Sequence, residues 1–139
     1  MAAFQNAIQF FKACDGGKGW HVCRDYATQD AGFVCQSDAL TEVTTAEAYS
    51  DWMKSLVEGP LPDARYELLG AAMDDERRTV MVSGTFYASN SGDGGPVPAT
   101  GKATVSHYVY LLKMNDEDLV QEVTKVWNSG WALGELGWA

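Results

Sequence analysis

Apolar and polar residues recur along this chain in two different periods, and the period changes near the middle. The first stretch is helical: Phe4, Ala7, Ile8, Phe11 and Cys14 follow one another at steps of three and four and share one stripe. Asp15-Gly16-Gly17 stops that helix, because glycine tolerates the left-handed conformation of a C-cap. A second short helix is expected over Gly19 to Ala27, with Trp20, Cys23, Tyr26 and Ala27 on one side. Ala31 to Ser37 reads as a short strand entered from Gln29-Asp30. A third helix follows Thr44-Thr-Ala-Glu47, read as a capping box in which a Thr hydroxyl accepts an amide and Glu47 reaches back. Tyr49, Trp52, Met53, Leu56 and Val57 then keep helical spacing, and Gly59-Pro60 ends the run.

Beyond Pro62 the pattern becomes that of strands. Arg65 to Met73 runs into the turn Asp74-Asp75-Glu76, and Thr79 to Ser89 is rich in β-branched and aromatic residues. Asn90 to Gly95 is a glycine-loaded loop, Lys102 to Lys113 a long strand, Met114 to Asp118 a polar turn and Leu119 to Asn128 a last strand. The tail Ser129 to Ala139 holds Trp131, Leu133, Leu136 and Trp138 and is too apolar to hang free. Sequential strands joined by short turns pair antiparallel. Helices gathered at one end of the chain and strands at the other mean an α+β fold. The expected architecture is a cone-shaped barrel, a curved antiparallel sheet wrapped around three N-terminal helices. Residues 1–139 form one domain in this reading, with no repeat and no linker.

Charge removes several partners. Nineteen acidic residues against ten basic ones leave a net charge of −9, which disfavours nucleic acid and anionic membranes. No run approaches the ~20 apolar residues of a membrane span, and the first residues lack the basic start of a signal peptide. A cytoplasmic protein is expected. Cys14, Cys23 and Cys35 have no metal-like spacing and read as small buried thiols in a reducing compartment. His21 and His107 lack a matching ligand pattern, so neither a metal nor a cofactor is expected. Asp74-Asp75-Glu76 and Asp116-Glu117-Asp118 read as solvated turn tips.

Three strings carry a resemblance: Gly84-Thr-Phe86, Pro98-Ala-Thr-Gly-Lys102, and Trp127-Asn-Ser-Gly-Trp-Ala-Leu-Gly-Glu-Leu-Gly137. In this order and on these strands, the chain resembles the SnoaL-like polyketide cyclase group of the nuclear transport factor 2-like superfamily. The resemblance spans essentially the whole chain. It implies a cone with a mostly apolar pocket, commonly a homodimer, in which a His and an Asp perform acid/base chemistry. Carried over residue by residue, that His matches Phe86 and that Asp matches Asn128. Neither side chain is a base at neutral pH, so the customary proton-handling pair is missing.

Five Trp, six Tyr and five Phe make an aromatic lining expected, suited to a flat apolar ligand. The candidate lining residues are Trp20, Tyr26, Tyr49, Trp52, Met53, Phe86, His107, Asn128 and Trp131. Three functions compete. The first is binding of a small hydrophobic molecule. The second is a lyase or isomerase with His107 as general base, assisted by Asp30 or a tyrosine hydroxyl. The third is a homodimeric interaction module that uses the Ser106, Tyr108, Tyr110 and Leu112 face of the long strand.

Overall fold

The computed structural model describes residues 2–138. Helix α1 (Ala2–Asp15) buries Ala3, Ala7, Phe10, Phe11 and Cys14, while Phe4 and Ile8 lie half-buried at the edge of the stripe. The second helical stretch splits into α2 (Trp20–Cys23) and a tight turn over Arg24–Tyr26. Strand β1 (Ala27–Cys35) starts earlier than the apolar run suggests. Its register jumps between Ala27 and Gly32, so Gln29 and Asp30 sit in an exposed bulged stretch within the strand, not ahead of it.

Helix α3 (Ala46–Glu58) is capped by Thr45, whose hydroxyl accepts from Ala48 N at 3.1 Å. The cap falls one residue later than the capping-box reading places it. Thr44 is engaged elsewhere: its carbonyl accepts from Phe33 N of β1 at 3.0 Å. The four-strand half follows as expected, with β2 (Arg65–Asp74), β3 (Thr79–Ser89), β4 (Ala103–Met114) and β5 (Val120–Trp127). The apolar tail forms a fourth helix, α4 (Ser129–Leu136), closed by Gly137 at φ +78°.

The fold is α+β. One sheet has the strand order β1-β5-β4-β3-β2, and its two edge strands do not meet. Three of its pairings are antiparallel, while β1, which chain order leaves unplaced, runs parallel to β5. The inner face of the sheet buries Val80, Val82, Tyr108, Tyr110, Leu112 and Val123 against α1 and α3. A smaller cluster of Leu61, Ala88 and Leu136 closes the end where α4 lies. Each fully buried large apolar side chain is worth about 1.5–3 kcal/mol, so the inner face sets the register of every strand.

Candidate functional site

Alternation along β4 decides which chemistry enters the interior. Thr104, Ser106, Tyr108, Tyr110 and Leu112 point inward, and Val105, His107, Val109 and Leu111 point out. Cross-strand register then sets Lys125 of β5 opposite Tyr110, and Trp127 opposite Tyr108. From the other layer, α1 contributes Asp15, one turn beyond Phe11 on the same face, and α3 contributes Tyr49.

These residues form one continuous hydrogen-bonded chain. Lys125 Nζ donates to the Tyr49 hydroxyl at 2.9 Å, and the hydroxyls of Tyr49 and Tyr110 lie 2.5 Å apart. Tyr110 donates to one Asp15 carboxylate oxygen at 2.6 Å, and Tyr108 donates to the other. An ammonium offers only donors and a charged carboxylate only acceptors, so with both ends charged Tyr49 must donate to Tyr110. If one proton passes from Lys125 to Asp15 along this route, every bond reverses and the ends become neutral. Two phenols thus join a buried base to a buried acid that make no direct ion pair.

Burial acts on both ends in the direction of neutrality. It lowers the Lys125 ammonium to about 8, opposed chiefly by the charge on Asp15. It raises the Asp15 carboxyl, opposed by hydrogen bonds from Tyr108 and Tyr110 and then by Lys125. Burial, followed by the Asp15 charge, pushes Tyr49, Tyr108 and Tyr110 up, so the phenols remain protonated and able to donate.

Ring packing fixes the geometry. Phe33 stacks on Tyr49 at 4.2 Å, and Phe11 meets Tyr110 edge-on at 5.6 Å. Lys125 Nζ lies 4.1 Å from the Trp127 ring centroid, a cation–π distance. A Cβ on Gly84 would come within 2.8 Å of the Tyr108 hydroxyl oxygen, so the close pass of that ring accounts for the glycine.

All five residues of the network line a cavity of about 30 Å³, which is also walled by residues such as Trp52, Met53, Phe86, Trp127 and Leu136. That is room for about two waters. A surface groove of about 510 Å³ adjoins it, and Trp52, Leu56, Leu133 and Trp138 line both spaces. Helix α4 carries part of this partition. Glu135 ties it to β4, accepting from the Thr104 hydroxyl at 2.8 Å and from Val105 N at 3.0 Å.

Of the residues expected to line the site, Tyr49, Trp52, Met53 and Phe86 do so. Trp20 and Tyr26 pack at the core margin and are not among the lining residues. His107 is exposed on the outer sheet face, where its Nδ1 lies 3.1 Å from Thr85 Oγ1, because β4 turns its tyrosines inward. The Tyr108–Tyr110 face is therefore core, not a dimer surface. Asp30 is also exposed, in the bulged stretch of β1. Asn128 is exposed and caps α4, accepting from Trp131 N at 3.0 Å. Trp131 is 58% exposed. Phe86 and Asn128 supply no base, yet the interior does hold an acid and a base. They come from Asp15 and Lys125, at positions that the family strings do not mark. Among the described residues no three His, Cys, Asp or Glu side chains gather to hold a metal, and no helix is long and apolar enough to cross a membrane.

No family profile and no curated protein matches the chain by sequence. Solved structures match in shape. AclR of Streptomyces galilaeus, described as a hydroxylase, superposes with a TM-score of 0.75 at 18% identity, over 99% of this chain and 85% of its own. A Jannaschia protein described as a SnoaL-like polyketide cyclase gives 0.73 at 20% identity, over 95% and 91%. A Catenulispora acidiphila protein with a ketosteroid isomerase-like fold gives 0.70 at 12% identity, over 97% and 94%. The chain therefore has the nuclear transport factor 2-like fold seen in SnoaL-like polyketide cyclases and ketosteroid isomerase-like proteins.

Proposed function

We propose that the interior takes a small, flat, largely apolar molecule and turns its carbonyl or hydroxyl oxygen toward the Tyr–Lys end. One observation carries this reading: an aromatic and aliphatic wall ends in a single connected set of polar groups. Such a site gains affinity from apolar burial and orientation from a few polar contacts. The cavity is small, so entry requires α4 to swing away from Trp52 and Leu56. Tryptophan fluorescence and melting temperature, followed with naphthol and with naphthalene, test it. Naphthol is expected to quench and to stabilise, by about 2.7 kcal/mol at a hundred times its Kd, and naphthalene to bind more weakly. Absence of binding by both overturns the reading.

A second reading, proton transfer on the bound molecule, is favoured by the buried Asp15–Lys125 relay, with Asp15 in the role expected of His107. Exchange of the hydrogens beside the carbonyl of tetralone in heavy water measures it. The protein is expected to accelerate exchange and Asp15→Asn to abolish the acceleration; a wild-type rate equal to that of buffer refutes it.

We also propose a homodimer. Val34, Met81, Val105 and Val126 are exposed on four neighbouring strands of the outer sheet face, an apolar surface that a second copy would cover. Light scattering is expected to give twice the chain mass, and Val105→Lys with Val126→Lys to give monomers of similar melting temperature. A monomeric wild type removes this reading.

A further inference from the structure

Lys125 is 7% exposed and lines the cavity, whereas Lys12, Lys18, Lys102 and Lys113 are exposed and Lys54 is half-buried. Its Nζ makes one protein hydrogen bond, to Tyr49, and sits within reach of three aromatic rings: Trp127 at 4.1 Å, Tyr49 at 5.2 Å and Tyr108 at 5.4 Å. It is also joined through Tyr49 and Tyr110 to a carboxylate. An amine in an apolar enclosure, with a built-in acceptor for its extra proton, is the arrangement that makes lysine a nucleophile toward carbonyl carbon.

We propose that Lys125 captures aldehydes or ketones covalently, its Nζ forming an iminium with the carbonyl carbon of a ligand seated in the cavity. This rests on the cavity reading above and names the ligand class. The ammonium first passes one proton through Tyr49 and Tyr110 to Asp15. The freed nitrogen lone pair attacks the carbonyl carbon as the C–O π pair moves to oxygen. A nitrogen proton then transfers to that oxygen, giving a carbinolamine. The proton held on Asp15 returns along the tyrosines, the hydroxyl leaves as water and the nitrogen lone pair closes the C=N bond. Ammonium plus carbonyl becomes iminium plus water, with one positive charge on each side and no oxidant or reductant. The aromatic rings that face the ammonium face the iminium as well. The depressed lysine, near 8, supplies free amine close to neutral pH.

Trapping with cyanoborohydride tests the step. The protein is incubated with naphthaldehyde and the reductant, and adducts are counted by intact mass and located by peptide mapping. Binding of naphthalenemethanol, which has no carbonyl, is measured alongside. The expected result is one adduct, at Lys125, with a mass gain equal to the probe less one oxygen. Lys125→Met, checked for cooperative unfolding, is expected to lower trapping at least tenfold. If that variant does not fold, Lys125→Arg keeps the charge and cannot form the imine, so it serves in its place. Binding of naphthalenemethanol without an adduct, or with adducts only at exposed amines, overturns the proposal and leaves the cavity reading standing. Failure of naphthalenemethanol to bind overturns both.

Discussion

Replacing Lys125 by Met removes a buried charge while nearly keeping chain length, and its effect should depend on pH in a defined way. In the folded protein burial holds the ammonium near 8, below its ordinary 10.5. Between those two values the unfolded chain binds more protons than the folded one, so stability rises with pH across that window. Below about 8 both states are protonated and the full penalty is present, about 3 kcal/mol. Going from about pH 7 to about pH 9 relieves a little over 1 kcal/mol of it. Methionine carries no such dependence. The stability of Lys125→Met relative to wild type is therefore expected to fall by about 1 kcal/mol over that interval.

Other groups around the lysine titrate too. Cys14, pushed up by its hydrogen bond to Cys23 and by burial, and Cys35, pushed up by burial, weaken the fold as pH climbs; both lose the opposing charge of the ammonium in the variant and rise further, so any difference they add has the same sign as that of the lysine. Tyr49, Tyr108 and Tyr110 are raised and act in both proteins alike. Asp15 loses the opposing ammonium in the variant, so its carboxyl rises further. Should it titrate in this interval, its effect has the same sign as that of the lysine. Urea unfolding of the two proteins at several pH values, read as the difference in ΔG, is the assay. A difference that stays flat or grows with pH refutes the buried, depressed lysine.

Two further outcomes follow from the geometry. Gly84→Ala puts a methyl 2.8 Å from the Tyr108 hydroxyl oxygen; it is expected to cost about 1–3 kcal/mol, read by denaturant unfolding, and a neutral result would mean that Tyr108 moves freely. Asn128→Asp is expected to stay within about 0.5 kcal/mol of wild type, since either side chain caps a helix, while Asn128→Ala loses about 1 kcal/mol. A large loss in Asn128→Asp would place that residue in a dry interior instead of at an exposed helix start.

The elements were legible where local chemistry punctuates the chain. Thr79 to Ser89 is bounded by a polar turn and a glycine loop, and its limits match β3. Helix α4 was hidden by Gly130 and Gly134, which lower helix propensity, although its apolar content marked it as packed. The site was less legible, and β4 shows why. Both of its faces are apolar enough to be core, so a period of two does not say which one turns inward. Choosing the His107 face loses Tyr108 and Tyr110 together. Asp15 sits beside two glycines and reads as a helix stop, although its spacing from Phe11 places it on the buried face. Lys125 alternates with Val123 and Trp127, and that inward run of Val, Lys and Trp was the available sign of a buried amine.

The parallel pairing of β1 with β5 has a consequence for how the chain emerges from the ribosome. The meander of β2, β3 and β4 can assemble as soon as it is made, because each neighbour follows directly. Strand β1 precedes all three, yet its sheet partner is synthesised after them. Until Val120–Trp127 arrives, β1 holds an open edge able to zip onto another nascent copy. The same late segment delivers Lys125, so the strand that gives β1 its one partner in the sheet also installs the amine.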